Sequence, residues 1–208
     1  DRTELNCFIG PPLHESFIKY YGFSNLMAFD AITKYREYYT TRGIFENEVY
    51  DGIPELLADL KAAGKTVIMA TSKPECYARQ IADHFDITNY FDCITGSELD
   101  GRRVDKAEVI ECALERVGEP DRGECVMIGD RMHDILGAKK AGLSSVGVLY
   151  GYGSREELTE NGADRIAESV SGLRDMLLLN IILIHRQRRK ASAGAFFGSL
   201  FSSFGGHN

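Results

Sequence analysis

The stretch "VMIGDRMHDILGAKKAG", residues 126–142, combines an apolar run with a helical pattern and two nearby acids. The apolar run ends at Gly129, and the helical pattern continues to Gly142. Asp130 and Asp134 are four residues apart, so they lie on the same side of the start of that helix. Hard cations such as Mg²⁺ prefer carboxylate oxygens. The stretch therefore predicts a strand, a loop and a helix that carry half of a metal site.

The same alternation of short apolar runs and helical patterns extends from residue 54 to residue 167. Pro54 suits the first turn of a helix and Gly64 suits its end, while Ser72 and Asp105 are candidate helix caps. This order predicts an α/β fold with a parallel sheet and helices on both faces. The predicted helices are 54–63, 72–85, 105–118 and 131–141, and the predicted strands are 66–70, 91–94, 125–128, 145–149 and 165–167.

Five polar residues are expected at the rim formed by the carboxyl ends of these strands, where open α/β sheets bind ligands. Thr71 and Ser72 offer hydroxyls and helix-start N–H groups to an anion, and Lys106 can balance the charge of a phosphate. Asp130 can ligate a metal directly, and Asp134 can ligate it or hold a ligating water. Taken singly, each has a plain alternative as a helix cap or a solvated lysine, but their order along the chain favours one shared site.

Composition limits the classes of protein to consider. The chain has 208 residues, 44% of them apolar, and a net charge of −7, which argues against a general nucleic-acid binder. Its five cysteines form no C-x-x-C pair, so we expect reduced thiols in a cytosolic protein and no zinc. No signal peptide and no apolar run of membrane-spanning length are present, so no membrane span is expected. Nothing in the sequence indicates the oligomeric state.

Three segments resemble, in the right order, the second, third and fourth motifs of haloacid dehalogenase superfamily phosphatases. They are "VIMATSKP" at 67–74, "RVDKAEVI" at 103–110 and "VMIGDRMHD" at 126–134. The resemblance implies that Thr71 and Ser72 bind phosphate, that Lys106 is the third-motif lysine, and that Asp130 and Asp134 hold Mg²⁺. It also implies a Rossmannoid parallel sheet and a small phosphorylated substrate.

Two further segments resemble the phosphoglycolate phosphatase-like and 5′-nucleotidase-like branch of that superfamily. They are "FIGPPLHESF" at 8–17 and "YDGIPELLADLKAAG" at 50–64. The resemblance implies that residues 1–48 are an incomplete helical cap and that residues 49–177 are the α/β core. Gly10, Pro11 and Pro12 would then form a stiff loop that selects the substrate. A simple helix-breaking turn is the alternative for that loop.

The first motif of the family, D-x-D-G-T, has no counterpart in the chain, which contains no D-x-D at all. In the family the first Asp is the nucleophile, the second is the general acid and base, and both follow the central strand. The expectation is that this strand is missing, that the sequence lacks the beginning of a complete phosphatase, and that residues 178–208 are a poorly ordered tail. An alternative places residues 177–186 in the empty position as a strand, with His185 near the site of the nucleophile.

Three hypotheses of function follow from these patterns. The first is a Mg²⁺-dependent phosphomonoesterase for a small metabolite such as phosphoglycolate or a nucleoside monophosphate, impaired in this chain by the absent nucleophile. The second is a non-catalytic phosphate-binding protein of the same fold. The third is another doubly wound domain, such as a receiver-like module, against which the lack of an acidic pair after an early strand counts.

Overall fold

The computed structural model describes residues 7–8, 11–185 and 195–198, and these form eight α-helices and six strands. The helices are α1 (Leu13–Tyr21), α2 (Asn25–Tyr39), α3 (Ile53–Ala62), α4 (Glu75–His84), α5 (Lys106–Arg116), α6 (Met132–Lys140), α7 (Arg155–Glu160) and α8 (Val170–His185). The strands are β1 (Thr66–Pro74), β2 (Cys93–Ser97), β3 (Val126–Gly129), β4 (Ser144–Val148), β5 (Arg165–Ala167) and β6 (Ala195–Gly198). None of the helices in the described ranges is long and apolar enough to cross a membrane.

The described residues up to Glu48 form one compact unit, and those from Val49 onward form a second. In the first unit α1 and α2 pack against each other. Ser24 caps α2 by accepting a hydrogen bond from the amide of Met27. Gly22, in the left-handed conformation, ends α1. This unit is therefore a short helical pair whose ends are set by local capping.

A six-stranded parallel sheet in the order β2-β1-β6-β3-β4-β5 forms the centre of the second unit. Ile68 and Ala70 of β1 pack in one cluster with Ile110 of α5 and Ala138 of α6. Since alternate residues of a strand face opposite sides, the burial of Met69 shows that the other face of β1 is covered as well. The predicted α/β fold with a parallel sheet and helices on both faces is confirmed.

Several predicted helix boundaries have the expected local causes. Pro54 occupies the first turn of α3, where its missing N–H has no helical partner to lose. Asp105 caps α5, because its carboxylate accepts hydrogen bonds from the amides of Ala107 and Glu108. Gly118, with a φ of 88°, follows the end of α5. These local signals place Lys106 at the first position of α5.

The prediction that Ser72 caps a helix is wrong, because β1 continues through Ser72 to Pro74 and α4 begins only at Glu75. Proline disfavours the helical conformation of the residue before it, so Lys73 stays extended. Pro74 pairs with Ser97 of β2 after a register shift that follows Ala70. The amino terminus of α4 is consequently displaced from Thr71 by the extended residues that follow it.

The carboxyl-terminal segment differs most from the prediction. The alternative that residues 177–186 form a strand is wrong, because α8 continues to His185, beyond the expected tail boundary at residue 178. A short apolar run fits a buried strand or a helix equally well, and here the run continues a helix that already begins at Val170. The position between β1 and β3, predicted to be empty, contains β6. The remainder of the predicted tail, residues 186–194 and 199–208, lies outside the described residues.

Candidate active site

A buried ion pair between Lys106 and Asp134 connects α5 to α6. The ammonium of Lys106, at the start of α5, lies 2.8 Å from Oδ1 of Asp134 in the first turn of α6. Their side chains are only 7% and 5% exposed, so water screens the pair weakly. The same ammonium donates a hydrogen bond of 3.2 Å to the carbonyl oxygen of Ala70, the residue before Thr71. One lysine therefore joins the end of the buried part of β1 to α6.

The second carboxylate oxygen of Asp134 organises the turn between β3 and α6. Oδ2 accepts hydrogen bonds of 3.2 Å from the amides of both Asp130 and Arg131. This contact requires a glycine at position 129, because a Cβ there would overlap the Cβ, Cγ and Oδ2 of Asp134. Both oxygens of Asp134 are thus engaged by the protein itself. Its arrangement fits a residue that orients the turn and balances Lys106.

A second glycine allows α6 to approach Lys106. A Cβ at Gly137 would lie 2.6 Å from Cγ and 2.9 Å from Cβ of Lys106, distances that real side chains essentially never show. The lysine stem passes over this bare part of α6 on its way to Asp134 and Ala70. Gly137 therefore contributes to the site by having no side chain, which leaves room for the stem of Lys106. The sequence did not predict this role, because Gly137 is simply one residue within a helical pattern.

Asp130 follows β3 and lies against the loop after β4. Its Oδ2 accepts a hydrogen bond of 2.9 Å from the amide of Tyr152, and a Cβ at Gly151 or Gly153 would overlap atoms of Asp130. Burial, and secondly the charge of Asp134, raise the pKa of Asp130 to about 6. Among the described residues, Oδ1 of Asp130 accepts no hydrogen bond. A half-buried carboxylate with one open oxygen and a costly negative charge is suited to a cation.

Thr71 and Ser72 lie in the extended end of β1. Oγ1 of Thr71 accepts a hydrogen bond of 3.2 Å from the amide of Lys73, which leaves its O–H proton available to donate. Ser97 of β2 donates from its hydroxyl to the carbonyl oxygen of Ser72 at 2.8 Å. Because Thr71 directly follows Ala70, the contact of Lys106 with Ala70 brings the third predicted motif to the second.

Two charged residues near these motifs were not predicted from the sequence. Burial lowers the pKa of Lys73 to about 8, although part of the residue remains accessible. Oε1 of Glu157 pairs with Nε of Arg131 at 2.9 Å and accepts the amide of Met132 at 2.8 Å, so α7 supports the start of α6. The position of Lys73 within "TSKP" could have singled it out. Glu157 gave no signal, because its partners are 25 and 26 residues away.

The predicted substrate loop and the predicted metal site are the remaining parts of the site. Gly10 lies outside the described residues, and Pro11 and Pro12 directly precede α1 in the first unit. Their assignment to a substrate-selecting loop stays a prediction. Within the described ranges, no group of three or more His, Cys, Asp or Glu side chains is arranged to hold a metal. The assignment of Asp130 and Asp134 to a metal ion stays a prediction.

Comparisons with known proteins show which family the chain is similar to. Residues 1–148 match the model of the haloacid dehalogenase-like hydrolase family. A 5′-nucleotidase from Pseudomonas aeruginosa is 45% identical over 177 residues, which cover 85% of this chain and 80% of that protein. The tyrosine-protein kinase PtkA of Mycobacterium tuberculosis is 39% identical over 171 residues, covering 81% of this chain and 58% of the kinase.

Two further matches support the same family. A phosphoglycolate phosphatase from Colwellia psychrerythraea is 32% identical over 133 residues, covering 64% of this chain and 58% of that protein. The crystal structure of a predicted phosphatase from Clostridium acetobutylicum has a TM-score of 0.83 and 46% identity, covering 86% of this chain and 82% of that one. The resemblance to phosphatases of the phosphoglycolate phosphatase-like and 5′-nucleotidase-like branch is confirmed, and the receiver-like alternative is wrong. The chain belongs to the haloacid dehalogenase-like hydrolase family.

Proposed function

We propose that this chain carries the phosphate- and metal-binding part of a Mg²⁺-dependent phosphomonoester hydrolase. The substrate class is a small phosphorylated metabolite, such as phosphoglycolate or a nucleoside monophosphate. The observation that carries the proposal is the buried Lys106–Asp134 pair, which joins the residue before Thr71 to the turn that contains Asp130. The names of the relatives that resemble this chain support the same reaction class.

The donor chemistry of the rim fits a hard divalent cation. Oδ1 of Asp130 accepts no hydrogen bond from the described residues. A cation there would offset the cost of burying this negative charge, which is the cost that raises the pKa of the carboxyl group. Asp134 already uses both oxygens, so we assign it the role of holding the turn and any ligating water. When bound, Mg²⁺ would offset negative charge on a transferring phosphoryl group.

The phosphate would be bound by Lys106 and Thr71. An ammonium has three protons, and Lys106 directs two of them to Asp134 and to the carbonyl of Ala70. One proton remains for a phosphate oxygen. The Thr71 hydroxyl accepts from the amide of Lys73 and can donate its own proton to a second oxygen. Ser72 is assigned to the same phosphate-binding segment, with its carbonyl held by Ser97.

Hydrolysis by these 208 residues alone is proposed to be impaired. The reaction of the family needs a carboxylate nucleophile, and the sequence has no D-x-D motif. The segment that contains β6 cannot replace it, because residues 186–208 include no Asp or Glu. The alternative is a non-catalytic phosphate-binding protein, which the same Lys106 and Thr71 geometry favours. A cytoplasmic location is part of the proposal, supported by the five cysteines, which are all free thiols.

The test compares phosphate binding with turnover. Inorganic phosphate is titrated into the chain calorimetrically with Mg²⁺ or with chelator, and hydrolysis of an aryl phosphate is followed under the same conditions. Binding that needs Mg²⁺ and is lost in Asp130→Asn, but not in the exposed control Asp175→Asn, supports the assigned site. Fusing a strand that carries D-x-D then separates the alternatives. Turnover after fusion supports an impaired hydrolase, and phosphate binding without turnover supports the non-catalytic protein.

A further inference from the structure

The central strand β6 comes from the far end of the chain and pairs with neighbours on both of its sides. Val67 and Ile68 of β1 lie opposite Phe196 and Phe197. On the other side the same two residues of β6 lie opposite Val126 and Met127 of β3. Both pairings are parallel, and neither contains a register shift. The segment is thus integrated in the sheet through its backbone.

The two walls of this position are fixed independently of β6. On one side β1 pairs with β2, and on the other side β3 pairs with β4. The helices α5 and α6 pack against each other, and α5 also packs on β1 while α6 packs on β3. The Lys106–Asp134 pair and the bond from Lys106 to Ala70 cross the same gap. The gap is therefore held open by contacts that do not involve its occupant.

An unfilled gap of this width would be costly. Strands in a sheet are about 4.8 Å apart, so β1 and β3 are separated by roughly twice that distance and cannot pair with each other. Without an occupant, the inner backbone groups of Val67–Met69 and Met127–Ile128 would lose their partners inside a buried sheet. A pre-set gap lined by unpaired N–H and C=O groups on both sides binds an extended segment strongly and with little regard to its side chains.

We propose that the position between β1 and β3 is a strand-accepting site, that the chain fills it with its own segment Ala195–Gly198, and that the same segment supplied as a separate peptide can replace it. Backbone pairing supplies the recognition, and parallel direction and four extended residues are the requirements. In the intact chain the segment is covalently attached, so its effective concentration is high and an external strand competes poorly. Weakening the attached segment exposes the site.

The position of this site gives the exchange a consequence. Gly198 lies level with Met69 and Ile128, which directly precede Ala70 and Gly129. Whatever segment occupies the position therefore ends at the rim that contains the Lys106–Asp134 pair. The identity of the occupant decides which side chains are delivered to that rim. The exchange itself depends only on backbone pairing and stands whether or not the rim hydrolyses phosphate esters.

The test uses the full chain and hydrogen exchange measured by mass spectrometry. Phe197→Pro removes a backbone N–H that a central strand must donate, whereas the control Phe197→Val keeps it. We expect amide exchange in 66–69 and 126–129 to accelerate at least about tenfold in the proline variant, with a much smaller change in the valine variant and in β5. Adding a peptide with the sequence of residues 193–200, extended by lysines for solubility, should restore slow exchange at both segments.

The outcomes are separated by a second peptide and by the state of the variant. A peptide with proline in place of Phe197 should restore nothing. Unchanged exchange in a folded Phe197→Pro variant would overturn the proposal, because the segment would then not support either wall. If the proline variant unfolds entirely, recovery of the native circular dichroism spectrum by the first peptide alone supports the strand-accepting site. Equal effects of the two peptides, or no effect of either, overturn it.

Discussion

Breaking the Lys106–Asp134 pair should be far more costly than its single 2.8 Å contact suggests. Lys106→Met leaves the Asp134 carboxylate buried with two amide donors and no countercharge. Removing one member of a buried ion pair typically costs about 3–5 kcal/mol, because the remaining charge stays in a poorly solvated place. Asp134→Asn should have a similar cost, since it leaves the ammonium with only the Ala70 carbonyl.

The double variant supplies the decisive comparison. Lys106→Met with Asp134→Asn removes both charges, so its loss of unfolding free energy should be smaller than the sum of the two single losses by about 1–3 kcal/mol. Urea denaturation without Mg²⁺, followed by circular dichroism, measures all three values, with constant m-values as the check. The exposed pair Lys34–Glu37, also 2.8 Å long but 77% and 60% exposed, is the control and should cost less than about 1 kcal/mol. Single losses below 1 kcal/mol at the buried pair, or strict additivity, would refute this account of the site.

Three further predictions concern single residues. Gly129→Ala forces a Cβ onto Asp134 and should lower the unfolding free energy by about 1–3 kcal/mol in urea denaturation; Gly172→Ala, which meets only an ordinary contact, is its control, and equal stabilities would contradict the prediction. Asp130 has a folded-state pKa of about 6, above its unfolded value, so it should lower stability as pH rises from about 4 to 6, and Asp130→Asn should raise stability at pH 7 by up to about 3 kcal/mol. A melting temperature of Asp130→Asn that follows the wild type across this pH range would disprove it. Asp105→Ala removes two cap bonds to α5 and should cost about 1 kcal/mol, measured by thermal melting.

The parts of the site that depend on local patterns were predictable from the sequence. A strand, a glycine and an acid spaced one helical turn from a second acid placed Asp130 correctly on the turn before α6 and Asp134 in the first turn of that helix. Asp105 with the helical pattern after it placed Lys106 at the start of α5. Since parallel strands end at one edge, their meeting near Thr71 followed from topology. These features depend on residues close together in the chain.

The features that were missed depend on competition between distant segments. Ser72 is a residue type that often caps helices, but here the segment stays extended. Pro74 pairs with Ser97 of β2, and the Ser97 hydroxyl donates a hydrogen bond to the carbonyl oxygen of Ser72. The residues "AFFG" of β6 have no pattern that distinguishes them from the rest of the tail. Their strand is held by backbone pairing with β1 and β3, which requires no particular side chains and so leaves no signal in the sequence. Glu157, in α7, contacts the start of α6 although β4 lies between the two helices in the chain. Local propensity therefore failed where the sheet and its neighbours determine the outcome.

The two acids of the fourth motif, although one helical turn apart, are expected to have opposite effects on stability. Asp134 is surrounded by a cation and two amides, so its negative charge is needed in the folded state and its neutralisation should destabilise the chain. Asp130 is largely removed from water, accepts a hydrogen bond from the amide of Tyr152 and lies beside the charge of Asp134, so its negative charge is costly until a cation binds. A metal site gains affinity from such a carboxylate, because binding relieves a cost already present in the folded protein. Mg²⁺ should therefore raise the melting temperature of the wild type and of Asp175→Asn, but not that of Asp130→Asn. Equal shifts in all three proteins would show that Asp130 does not bind the metal.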